Sequence, residues 1–126
     1  MPGARHNKFT TALAILCVAL LGISGLLFWN YGMLKIRVAF ADEQTRIFDD
    51  MRATALRSDA KGAAQCLAYV VSYYPSGSKQ ETGSRLDTIV ERERESAERE
   101  IINYLHAKTG ENLGTSPDAW IRKYGL

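Results

Sequence analysis

The run Phe9–Trp29 (FTTALAILCVALLGISGLLFW) constrains this chain more than any other feature. It holds 21 residues and no charge. As an α-helix rising about 1.5 Å per residue it reaches roughly 32 Å, enough to cross a hydrocarbon core of about 30 Å. Trp29 and Tyr31 close it, where amphipathic aromatics sit at the lipid–water boundary. Residues 9–31 are therefore expected to form a transmembrane helix behind a short polar tail, residues 1–8. Membrane lipid is the first expected partner. Gly22, Ser24 and Gly25 make no GxxxG pattern, so a lone lipid-facing helix is expected.

A cleaved signal peptide shares some of these features. Arg5 and Lys8 precede the apolar run, and Ala39-Phe40-Ala41 supplies an A-x-A pattern after it. Signal peptides carry apolar regions of about 7–15 residues, and this one is longer. Lys35 and Arg37 also stand between the run and the A-x-A. An uncleaved single-pass anchor is the expectation. Orientation is read from the short basic segment before the first apolar run, a signal-anchor pattern that places the N-terminus in the cytoplasm. The count of Lys35, Arg37 and Arg46 after the run points the other way.

Beyond the span, Lys35 to Leu126 gives 92 residues, enough for one small domain with one core. The formal charge of +2 resides before the span: after Arg5 and Lys8, the other 14 Lys and Arg face 14 Asp and Glu. A nucleic-acid binder shows a basic face, and none is evident, so no nucleic-acid partner is expected. Cys17 lies inside the span and Cys66 far outside it, so the two should not pair. Cys66 reads as a small buried apolar residue, alongside Leu67 and Val70.

Helical spacing then organises the rest. A membrane-proximal helix is expected over 32–58, with Met33, Ile36, Phe40, Ile47, Phe48, Met51 and Ala55 as its apolar stripe; it either continues the membrane helix straight out as a stalk or bends at Gly32. Ser58 and Asp59 both suit a helix N-cap. The next helix is expected from Ala60 to Tyr74, with Ala63, Cys66, Leu67, Val70, Val71 and Tyr74 on one face. Pro75 ends it. After the polar loop 75–83 (PSGSKQETG), Ser84 caps a third helix that runs to Thr109 and stops at Gly110. Within it, Glu91–Glu100 is a dense charge run with Glu95–Arg99 and Arg94–Glu98 at i, i+4, read as a solvated face. Residues 59–126 are expected to pack as a hairpin plus a short helix, one domain with 32–58. The fold class is all-α: one N-terminal transmembrane helix, a small bundle and a short C-terminal helix.

That last helix starts at Ser116-Pro117-Asp118, a capping serine, a proline at the first helical position and an acid in the first turn. The segment Thr109-Gly110-Glu111-Asn112-Leu113-Gly114-Thr115-Ser116-Pro117-Asp118-Ala119-Trp120 resembles a TG-x-x-[aromatic or Leu]-G-x-[Asp/Ser]-P-x-x-W element. That element is associated with the ends of HEAT-like helical repeats and with small single-pass bacterial membrane proteins. Leu113 stands where an aromatic is commoner, and Tyr124 supplies the second aromatic. The resemblance implies a tight helix–turn–helix closure with a docked tryptophan, and no reaction. Gly110, Gly114, Pro117 and Trp120 are its structural residues.

Chemistry-bearing patterns are absent from the sequence. There is no G-x-x-x-x-G-K-[ST], H-E-x-x-H, C-x-x-C or G-x-S-x-G. His106, near a helix C-terminus, suits the dipole better than a metal. No catalytic residue, cofactor or metal is expected. The expected function is non-enzymatic: a membrane-anchored module for protein–protein interaction or an accessory subunit. The alternative is a domain that binds a small ligand or envelope component through the 75–83 loop. That loop is either a plain connection or the binding place. Tyr73, Tyr74, Lys79 and Arg85 around it are the candidate partner-binding residues, since loops on rigid scaffolds carry recognition and tyrosines suit interfaces.

Overall fold

A computed structural model shows an all-α chain. It describes residues 3–126, with side chains from Asn7 onward. Met1 and Pro2, part of the expected 1–8 tail, lie outside the described residues. Four helices and no strand occur among the described residues: α1 (Gly3–Ala55), α2 (Ala60–Ser72), α3 (Arg85–Thr109) and α4 (Pro117–Tyr124). The chain divides into two compact units, Met1–Ile36 and Arg37–Leu126.

The first unit is the apolar part of α1. Helix begins at Gly3, so residues 3–8 of the expected polar tail are helical. α1 continues through Gly32 without interruption, as a helix running straight on from the apolar span would; a glycine inside a helix costs only about 1 kcal/mol relative to alanine. Leu21 is 72% exposed and Phe28 is 80% exposed, and their large apolar neighbours are exposed with them. A helix that is apolar all round buries itself in a large core or in lipid. Among the described residues this is the one helix long and apolar enough to cross a membrane.

The second unit has its own core, built on four stripes. The α1 stripe is Ala41, Gln44, Phe48, Met51 and Ala55, which keeps Phe48, Met51 and Ala55 of the expected one and replaces its earlier members. Ile36 is half exposed, and Ile47 is only partly buried. Phe48, 1% exposed, fixes the inward face; Gln44, one turn earlier, falls on it. α1 ends at Ala55 rather than Ser58, in a turn where Arg57 and Ser58 donate to Thr54 and Ala55, each at 3.1 Å. α2 opens on Asp59, whose carboxylate accepts from the Gly62 amide at 2.8 Å. It buries Ala63, Ala64, Leu67 and Val70. Cys66 sits at the edge of that face and is half-buried, not fully enclosed as expected.

α3 spans the range its caps indicate. The Ser84 hydroxyl accepts from the Asp87 amide at 3.2 Å, and Gly110 turns left-handed with φ 73°. Its inward stripe is Asp87, Val90, Arg94, Ala97, Ile101 and Leu105, with Ile102 beside it. Arg94 is thus buried inside a run expected to be solvated, and its ion-pair partner is Glu91 rather than Glu98. The chain then reverses through Gly114, φ 84°, and α4 begins with Pro117 in its first turn. Ser116 occupies the N-cap position without a side-chain capping bond. Trp120 is fully buried, and its indole N–H donates to the Gly114 carbonyl at 2.9 Å. Glu111 accepts from Lys123 at 2.5 Å and from the Tyr124 hydroxyl at 2.8 Å, which ties the reversal to α4.

Candidate interaction site at the α2–α3 loop

The end of α2 carries three tyrosines. Tyr69 and Tyr73, one turn apart, stack with ring centroids 5.3 Å apart. Tyr74 meets Tyr73 edge-on at 4.7 Å, and the buried Phe48 presents its edge to Tyr73 at 6.2 Å. Tyr69 is 46% and Tyr74 42% exposed, so much of this aromatic surface faces water.

Sequence rules end α2 at Pro75, but the helix stops earlier, at Ser72. A side chain from α3 takes up the carbonyls left open at this end. The Arg94 guanidinium donates to the carbonyls of Val70 and Val71, and to that of Tyr74 at 2.7 Å. Its Nε faces the Glu91 carboxylate at 3.2 Å, and its Cζ lies 4.7 Å from the Phe48 ring centre. A planar, always-charged fork suits this task, since it satisfies several orphan carbonyls at a helix C-terminus at once. Tyr74 is left with φ 39°. That is strained for a residue with a β-carbon and costs of order 1–3 kcal/mol, which the surrounding bonds must hold in place.

The loop 75–83 is fixed at three points. Asp87, 5% exposed, accepts from the Ser76 hydroxyl at 2.7 Å and from the amides of Gly83 at 3.0 Å and Gly77 at 3.3 Å. The hydroxyl and the Gly83 amide hold its carboxyl below the ordinary carboxylate range, against the opposing effect of burial. Gln80, 4% exposed, donates to the Arg37 carbonyl at 2.8 Å. Lys79 places its ammonium 4.3 Å from the Tyr74 ring centre and 4.6 Å from that of Phe40. Gly77 and Gly83 supply the left-handed turns, φ 84° and 76°, that let the backbone point its amides at Asp87.

Between the loop and α1 lies a cavity of about 100 Å³, lined by Phe40, Glu43, Gln44, Tyr73, Tyr74 and Lys79. The Gln44 amide donates to the Tyr74 carbonyl at a long 3.5 Å. Its oxygen, buried, has no hydrogen-bond partner among the described residues. Burial raises the Tyr73 hydroxyl above its ordinary value, with the Glu43 carboxylate adding to the effect.

The structure therefore brings Tyr73, Tyr74 and Lys79 together. Arg85 is exposed at the start of α3 and is not among the residues lining the cavity. Phe40, Glu43 and Gln44 are the members that sequence reasoning missed, because they come from a helix 30 or more residues upstream. A wider depression of about 470 Å³ lies at Glu95, Glu98, Arg99, Ile102, Asn103 and Thr115, with burial raising the Glu98 carboxyl and Arg94 opposing it. Among the described residues no group of three His, Cys, Asp or Glu is placed to hold a metal ion. No protein-family model, curated protein or solved structure matches the chain.

Proposed function

We propose that this chain is a single-pass membrane anchor presenting a non-enzymatic helical module, whose tyrosine-bearing α2–α3 corner docks a protein partner. The observation that carries this reading is the Tyr69–Tyr73–Tyr74 cluster, with Tyr69 and Tyr74 exposed, beside a loop held by Asp87, Gln80 and Lys79. Rigid aromatic surface costs little ordering entropy on binding, and tyrosine is enriched at the energetic centres of interfaces. The cavity at this loop favours a protein over a small ligand. About 100 Å³ is well below the roughly 300–1,000 Å³ of small-molecule sites, and suits one protruding group of a larger partner.

The folded unit also supports an uncleaved anchor. The A-x-A at Ala39-Phe40-Ala41 lies within α1: Ala41 is in the core, and Phe40 meets Lys79. Cleavage after Ala41 would remove both, together with the Arg37 carbonyl that holds Gln80. In this reading the N-terminus is cytoplasmic and the helical unit lies across the membrane. The C-terminal Thr109–Trp120 element belongs with the ends of helical repeats as a closing structure, not as a site.

The test is a photo-crosslinking amino acid placed at Tyr74, or at Arg92 as a control, in the full chain in its native membrane. A discrete adduct from position 74, weakened by Tyr73→Ala and absent from position 92, is the expected result. Equal adducts from both positions, or none from either, overturn the reading.

A further inference from the structure

We propose that the cavity beside the α2–α3 loop is a cage for a primary ammonium group, held in the free protein by the chain's own Lys79 and taken in the complex by a lysine side chain of the partner. The proposal rests on the reading of this corner as an interaction surface, and it names the chemistry that surface recognises.

The occupant is argued from what is already seated there. A surface lysine keeps its ammonium in water unless something competes with hydration. Here the ammonium lies within 4.3 Å and 4.6 Å of the ring centres of Tyr74 and Phe40, and the residue is only partly exposed. Both distances are inside the roughly 6 Å over which a cation feels the ring quadrupole. The site thus already fits an ammonium group. Space remains beside it, about 100 Å³, which is room for one headgroup and not for a metabolite.

The polar lining selects the same class. The Gln44 nitrogen faces a carbonyl, that of Tyr74. In this orientation the buried oxygen is the unpaired end. A buried acceptor without a donor is costly, and a group that supplies one relieves it. Glu43 adds a carboxylate to the wall. Once Lys79 has swung out, an anion would meet the Glu43 carboxylate with no cation left in the lining. A neutral apolar group would leave that oxygen unpaired. A primary ammonium brings three donors and a charge that both the rings and the carboxylate attract. Exchange needs little rearrangement: Asp87 and Gln80 keep the loop backbone in place, so only the Lys79 side chain has to leave.

The test uses the full chain in detergent micelles with ring-labelled tyrosine. The probe is N-acetyl-lysine methylamide, with N-acetyl-norleucine methylamide as its uncharged counterpart. Shifts of the Tyr73 and Tyr74 ring resonances report binding. Removing the internal competitor with Lys79→Ala should tighten the lysine probe by about fivefold or more, equivalent to about 1 kcal/mol at 1.4 kcal/mol per tenfold. Adding Glu43→Gln to that variant should weaken it again, and the norleucine probe should leave the rings unmoved. Should Lys79→Ala disturb the fold, seen as a shift in Trp120 emission in a Trp29→Phe background, Lys79→Gln makes the same comparison. Equal affinity with and without Lys79, or equal response to the uncharged probe, overturns the cage. If the cage fails while the Tyr74 crosslink persists, the interaction reading stands without it. If the probe binds but no crosslink forms, the interaction reading fails instead.

Discussion

Replacing Asp87 with alanine tests whether the loop is a held scaffold. The carboxylate is 5% exposed and accepts from one hydroxyl and two backbone amides, at 2.7, 3.0 and 3.3 Å. Hydrogen bonds to a charged group contribute about 1.5–3 kcal/mol each, and they do not add fully. The donors sit on an exposed loop, where water can replace part of what is lost. A total of about 3 kcal/mol is therefore expected. For the Arg37–Leu126 unit, a stability of the order of 5–13 kcal/mol follows from about 0.05–0.15 kcal/mol per residue, so the loss should be plain. The assay is urea unfolding of the full chain in micelles, read by Trp120 emission in a Trp29→Phe background. The pH dependence gives an independent reading. Asp87 is held below its ordinary value of 3.8, so its contribution is complete above the unfolded value and fades as pH falls through the lower native one. Asp87→Asn should lose that acid-side component. A cost below about 0.5 kcal/mol in Asp87→Ala, with an unchanged acid limb in Asp87→Asn, would refute the staple argued from these bonds.

Three further outcomes are expected. Trp120→Ala should cost about 3–5 kcal/mol, the range for deleting a buried large aromatic; melting within a degree or two of wild type would show α4 to be a free appendage. Arg94→Ala should destabilise by about 3–5 kcal/mol, because it strands buried partners, and Arg94→Lys should recover little, since a point charge cannot span three carbonyls; thermal unfolding of both variants decides it. Burial raises the Cys66 thiol above its ordinary value, so a polar maleimide should label it slowly in native protein and faster in urea, with the contrast limited because the side chain is only half-buried.

How far the sequence could be read depended on whether the cause of a feature was local. The bounds of α3 follow from Ser84 and Gly110, which act within one turn. The end of α2 is set to within two residues by Pro75, but the side chain that caps its carbonyls, Arg94, lies 20 or more positions downstream and leaves no local signal. Its burial left a trace nonetheless. Asp87, Val90, Arg94, Ala97 and Ile101 follow one helical stripe, but Arg94 reads as solvated from the sequence because its neighbours are charged. Gln44 left a fainter trace, since a lone glutamine at stripe spacing looks like a gap between Ala41 and Phe48. Tyr73, Tyr74 and Lys79 were legible as loop-flanking residues. Phe40 and Glu43 were not, because only the packing of α1 brings them to the loop. Arg85 was grouped with the site by sequence proximity alone.

Alkaline carbonate extraction of membranes carrying the full chain, followed by mass measurement of the pelleted species, tests the anchor on which the account depends. The 21 uncharged residues of Phe9–Trp29 and the place of Phe40 and Ala41 in the folded unit lead to one expectation: an intact chain of 14.0 kDa in the pellet. Recovery of the chain in the wash, or a shortened species beginning after Ala41, would contradict it.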